Sequence, residues 1–324
     1  MNEFMQTFPS KEEAQVTLAN WREPPFNRWG FQHVREIIPT VNIPSVFEGQ
    51  WLLPRTNSAI MKDLSFSDAR GGIIDFEQFL DITYTDAFVL IHHGRIVIEH
   101  YANGMDDNTP HILMSVSKSM LGLLAGVLVA DGILNRDAEI AQYVPEIQES
   151  AFSKATVNHL LDMLTGVHFE EDYQALSGAI IEYRKATNWN PIGRNDDPTD
   201  LRTFLPTMKA RQGTHGGSFN YISPCTDLLG WVIERAASRR YADLFSELIW
   251  KPMGASNSAY ITVDRLGAPR CAGGMCMTVM DLARVGQLIA EGGCRDQKRI
   301  LPKEWLEDMV AAGDPDAWVD GSFR

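Results

Sequence analysis

The sequence predicts an α+β fold with a mostly antiparallel sheet and a helical part beside it. Three observations carry this. The clear β-branched runs come early, helical spacings dominate the middle, and no strand–helix–strand alternation appears to build a parallel sheet.

Residues 1 to 20 are polar and read as a loose arm or a short helix. The stretch Trp21-Arg22-Glu23-Pro24-Pro25-Phe26-Asn27-Arg28-Trp29 follows. Two prolines among several aromatics suit an extended segment pinned to a core better than a linker. Residues 40 to 72 are rich in Pro, Ser, Asn and Gly and read as irregular. Ala87 to His92 and Ile96 to Tyr101 are β-branched runs around His93-Gly94-Arg95, the pattern of a hairpin.

Met120 to Ala130 is apolar all round and closes at Asp131-Gly132. It is too short for a membrane span and reads as a buried helix with Gly132 as its stop. Asn135 to Val144 suggests a turn and a short helix before Pro145. Val157 to Leu164 has leucines at helical intervals. The polar span from Glu170 to Gly217, broken by Trp189, Pro191, Gly193 and Pro198, reads as an irregular functional region. Helices are expected from Ser223 or Thr226 (either of which suits a cap) to Ala237, then over Tyr241 to Trp250, Thr278 to Glu291 and Lys303 to Val310. This divides the chain into an arm over 1–20 and a domain over 21–324, with a mainly helical subdomain at about 120–265.

The totals bound the function. The 324 residues carry a net charge of −13, which argues against a nucleic-acid face and against an anionic membrane surface. Cys225, Cys271, Cys276 and Cys294 show no metal spacing and read as free thiols of a reducing compartment. The N-terminus lacks a basic and an apolar region, so a cytoplasmic protein is the default expectation. His92, His93 and His100 lie on the hairpin with no carboxylate at ligand spacing; no metal and no cofactor are expected.

The chemistry is expected at Ser115-Val116-Ser117-Lys118, where the buried helix begins. Residues three apart share a helix face, so the hydroxyl of Ser115 and the amine of Lys118 stand side by side. Burial and the positive end of the helix dipole both favour the neutral amine, the form a general base needs. The Ser115 N–H, at a helix start, is free to donate to a developing oxyanion. The bland alternative is a capping serine followed by a surface lysine; the apolar helix after Lys118 weighs against it.

Ser115-Val116-Ser117-Lys118 resembles the first motif of the serine β-lactamase and penicillin-binding-protein superfamily. Tyr221-Ile222-Ser223 resembles the second motif of its class C-like branch, at the roughly hundred-residue separation that branch uses. More narrowly, the chain resembles the 6-aminohexanoate-dimer (nylon oligomer) hydrolases and their esterase-like relatives. The matching stretches are Trp21 to Trp29, Thr83 to Phe88, Leu113 to Ser119, Glu171-Asp172-Tyr173 and Asp281 to Gly286. The resemblance implies a β-lactamase-like fold and a hydrolase of small esters or amides. In it, Ser115 is the acylated nucleophile, Lys118 takes its proton, Tyr221 passes a proton to the leaving group, and Tyr173 positions substrate. Whether Lys118 or Tyr221 is the formal base stays open, as does a homodimer.

Two departures qualify these expectations. The acidic residue that favours the amino end of the nylon dimer has no clear counterpart; Arg184 stands near that place, with Glu182 close by. This favours a general carboxylesterase or amidase. A third motif, Lys-Thr-Gly or His-x-Gly, is not found after Tyr221, so a C-terminally truncated chain lacking its last strands is expected. The alternative that follows is an inactive member of the fold acting as a binding module.

Overall fold

The computed structural model describes residues 4–56, 64–67, 70–311, 313, 315 and 316. Residues 317 to 324, at the end where the last strands are expected to be missing, lie outside that set, as does part of the 40–72 stretch.

The central sheet has four antiparallel strands: β1 (Thr40–Ile43), β6 (His111–Ile112), β7 (Ala259–Thr262) and β8 (Met275–Met277). Their order is β1-β7-β8-β6, with Ile43 opposite Ala259, Tyr260 opposite Cys276 and His111 opposite Met277. The β2–β3 pair (Ser65–Ser67, Ile73–Asp75) and the expected hairpin β4–β5 (Ala87–His92, Arg95–Tyr101) form separate ladders. Residues 40 to 72 are thus less irregular than expected, because β1 and β2 lie within them.

Helix α1 (Val116–Ala130) begins directly after β6, which places its first turn at the sheet edge. It ends at Asp131, and Gly132 takes the left-handed conformation that L side chains resist, at φ 70°. Most of its residues from Met120 to Leu128 are buried in the main core. Two helices cross the span expected to be irregular, α2 (Ala179–Ala186) and the short turn Leu201–Phe204. Helix α3 (Ser223–Ala237) is capped by neither expected residue: Ser223 is its first helical residue and Ile222 the extended residue before it. Helix α4 (Val279–Ala290) follows Thr278, whose side chain accepts the N–H of Asp281.

The aromatic N-terminal segment is pinned to a core as expected, but it is not extended: it runs through turns and a short helix at Asn27–Gly30. Trp21 is fully buried, and with Trp29, Val34 and Ile38 it forms a second core against Ile112, Trp189 and Tyr260. The Trp21 indole N–H donates to the Trp189 carbonyl at 3.3 Å. Full burial of so large a side chain contributes about 3 kcal/mol. No helix among the described residues is long and apolar enough to cross a membrane.

Candidate active site

Ser115 sits in the bend between β6 and α1. Met114, just before it, holds a positive φ of 46°, a conformation a non-glycine side chain adopts at a cost of about 1–3 kcal/mol. The neighbouring strand enforces it: Leu113 N–H donates to the Met275 carbonyl at 2.8 Å, and Met275 N–H donates to the Ser117 hydroxyl at 3.1 Å. The result is an exposed Ser115 side chain at the helix cap, making no capping bond. Among the described residues no acceptor faces its backbone N–H.

Three of the four expected side chains meet here. The Lys118 ammonium donates to Ser115 Oγ at 3.0 Å and to the Ala272 carbonyl at 2.7 Å. The Tyr221 hydroxyl donates to Ser115 Oγ at 2.8 Å, and Lys118 Nζ lies 4.9 Å from the Tyr221 ring centroid. Burial, with the positive charge of Arg270 nearby, lowers the Lys118 amine to about 8. Burial moves the Tyr221 phenol the other way, above its ordinary value.

Tyr173 is exposed, and its hydroxyl is bonded away from Ser115. Its hydroxyl donates to Glu171 at 3.0 Å, and its carbonyl accepts from Arg184 at 3.0 Å. Glu171 is the residue that sequence reasoning left without a role. Its carboxylate accepts both the backbone N–H and the hydroxyl of Ser223. It therefore joins Tyr173 to the start of α3, two residues beyond Tyr221. The Glu171-Asp172-Tyr173 stretch was visible as a match; the missing signal was the partner, 52 residues away.

Two openings lie beside the site. A cavity of about 620 Å³ is walled by Glu170, Asp172, Tyr173, Asn220 and Tyr221. A second, of about 630 Å³, is mostly apolar and reaches Leu113 and Val116, on either side of Ser115 in the sequence. No group of three or more His, Cys, Asp or Glu among the described residues is placed to hold a metal ion.

A family model described as Beta-lactamase matches residues 76–317. The chain belongs to the Beta-lactamase family. The 6-aminohexanoate-dimer hydrolase of Paenarthrobacter ureafaciens is 33% identical over 316 residues, covering 98% of this chain and 78% of that protein. Esterase EstB of Burkholderia gladioli is 25% identical over 189 residues, covering 54% of this chain and 47% of EstB. A solved Bacillus anthracis structure described as a 6-aminohexanoate-dimer hydrolase superposes with a TM-score of 0.86 at 26% identity, covering 93% of this chain and 78% of that one. The four-stranded sheet with its flanking helices is accordingly a β-lactamase-like fold, and this Beta-lactamase family member is a serine hydrolase.

Proposed function

We propose that the chain cleaves small esters or amides through an acyl-enzyme on Ser115. The observation that carries this is the convergence of Lys118 Nζ at 3.0 Å and Tyr221 Oη at 2.8 Å on one exposed hydroxyl oxygen.

Above pH 8 Lys118 is neutral, and the Ser115 hydroxyl donates to its lone pair. Ser115 Oγ attacks the carbonyl carbon as its proton passes to Lys118, and the Ser115 N–H donates to the resulting oxyanion. The tetrahedral adduct collapses with loss of the C–N or C–O bond. The Tyr221 phenol gives its proton to the departing nitrogen or oxygen and recovers one from the Lys118 ammonium. Water then attacks the ester, its proton returns by the same groups, and the free acid leaves with Ser115 restored. Of the two candidate bases the reading favours Lys118, because burial has moved the amine toward neutrality at working pH and the phenol away from ionisation.

The relatives named for 6-aminohexanoate-dimer and ester hydrolysis support the substrate class. Tyr173, on the wall of the 620 Å³ cavity, is proposed to contact substrate there. Arg184 bonded to the Tyr173 carbonyl supports a general esterase or amidase over a site selective for an ammonium end.

Incubation with a fluorophosphonate or a p-nitrophenyl ester tests the reading. The expected result is a single phosphonyl or acyl mass on Ser115, absent in Ser115→Ala. A folded protein that gains no adduct, or gains it elsewhere, refutes the proposal and favours a binding role.

A further inference from the structure

Beneath Lys118 lies a buried ionic cluster that takes no direct part in the scheme above. Asp227, in the second turn of α3, has a fully buried carboxylate. Its Oδ2 accepts from the Arg270 guanidinium and from the Tyr183 hydroxyl. Its Oδ1 accepts the backbone N–H of Ala272 at 2.8 Å. The Arg270 guanidinium is packed 4.5 Å from the Tyr183 ring centroid and 4.9 Å from that of Trp189. Gly230, one turn along α3, allows this approach; a Cβ there would stand 2.6 Å from Cys271 Sγ.

Burying two charges costs several kcal/mol before their attraction is counted, so such a pair is weak evidence for stability. What the pair holds is more informative. Ala272 is gripped on one side by Asp227 and on the other offers its carbonyl to Lys118 at 2.7 Å. We infer that the Arg270–Asp227 pair positions Lys118 for proton transfer, acting through Ala272, and is not only a tie between α3 and the turn before β8.

The inference rests on the reading of Lys118 as base. A neutral amine has two N–H bonds and one lone pair. With one N–H committed to a fixed carbonyl, fewer orientations remain, and those that aim the lone pair at Ser115 Oγ are enriched. The pair also sets the charge Lys118 feels. The ionisable groups facing it are Tyr221, Arg270, Glu171, Asp227 and Cys225. Arg270 opposes the ammonium, while Glu171, Asp227 and Cys225 favour it.

The test is the pH dependence of Ser115 acylation by a p-nitrophenyl ester, followed as the burst of nitrophenol in wild type and variants, with circular dichroism as the control for folding. Asp227→Asn keeps an oxygen for the Ala272 N–H and removes the negative charge, leaving Arg270 to act alone. Its acid limb is expected to fall by about one unit from the wild-type position. The double variant Asp227→Asn with Arg270→Met buries no charge, so it keeps the protein foldable if the single variant is not. Its limb is expected within about half a unit of wild type, and its plateau rate about tenfold lower, because nothing then orients the side chain that grips Ala272. An unmoved limb in folded Asp227→Asn, or an unchanged plateau in the double variant, overturns the inference and leaves a structural tie. Absence of a burst and of a Ser115 adduct in wild type instead refutes the underlying reading, and this one with it.

Discussion

Two helices of 15 residues each have a serine at the N-terminal end, Ser115 as the cap of α1 and Ser223 as the first residue of α3, and Tyr221, just before α3, reaches Ser115. Their treatment differs. Ser115, before α1, follows a residue forced to positive φ, and its hydroxyl makes no cap. Ser223, at the head of α3, has both its N–H and its hydroxyl consumed by Glu171. A serine at a helix start ordinarily satisfies an orphan backbone donor. At α3 a carboxylate from another segment assumes that task and in doing so anchors the residues around Tyr221. At α1 the hydroxyl caps nothing and, among the described residues, hydrogen-bonds with Lys118 and Tyr221 alone. On the proposed reading, local hydrogen bonds are withheld from the serine that reacts and over-supplied to the one that anchors.

Substitutions can break this contrast, in decreasing order of effect. Lys118→Ala removes the proposed base, and the acylation rate is expected to fall by about a thousandfold with the fold intact. In wild type the same rate should rise through pH 8, as the amine loses its proton, with no second limb from the phenol below pH 10. A flat profile in stopped-flow burst measurements would contradict Lys118 as the titrating group. Glu171→Gln keeps one oxygen for the Ser223 N–H but removes the charge that strengthens both bonds to Ser223 and makes the Ser223 hydroxyl accept where it now donates. A loss of about tenfold in kcat/KM and of 1–3 kcal/mol in denaturant stability is expected. Ser223→Ala removes one of two bonds to Glu171 and keeps the backbone one. About 1 kcal/mol of stability and less than about twofold in rate should be lost. If Ser223→Ala proves as damaging to turnover as Lys118→Ala, the division between a reactive and a supporting serine is wrong.

The parts of the fold that the sequence made legible are those with local patterns. The β4–β5 hairpin has two long β-branched runs and a Gly turn, and α1 has an unbroken apolar run with a stop. Strands β7 and β8 were missed because all their residues are buried, so neither shows the alternation that marks a half-exposed strand. Helix α2 was hidden in a polar span because its buried face is only two turns long and mixes Ile180 and Ala186 with Tyr183 and Arg184, whose polar ends find partners elsewhere in the chain. The site divides likewise. Ser115 and Lys118 could be paired because three residues on a helix fix a common face. Tyr221, 106 residues from Ser115, was reached only through resemblance. Asp227 and Arg270, 43 residues apart, did carry a signal: a charged residue among apolar neighbours, which suggests a buried partner without naming it.

The N-terminal aromatic segment has a consequence for water. Trp21 packs edge-on against Trp189 at 5.2 Å, and Trp189 in turn covers the Arg270 guanidinium. An indole removed at position 21 leaves room for solvent behind Trp189, in a compartment whose low dielectric lets the buried Arg270 cation act on the Lys118 amine. On the proposed reading, residues some hundred positions before Ser115 thus help to exclude water behind Lys118, and hydration of that compartment would mute the site without touching a single group in it.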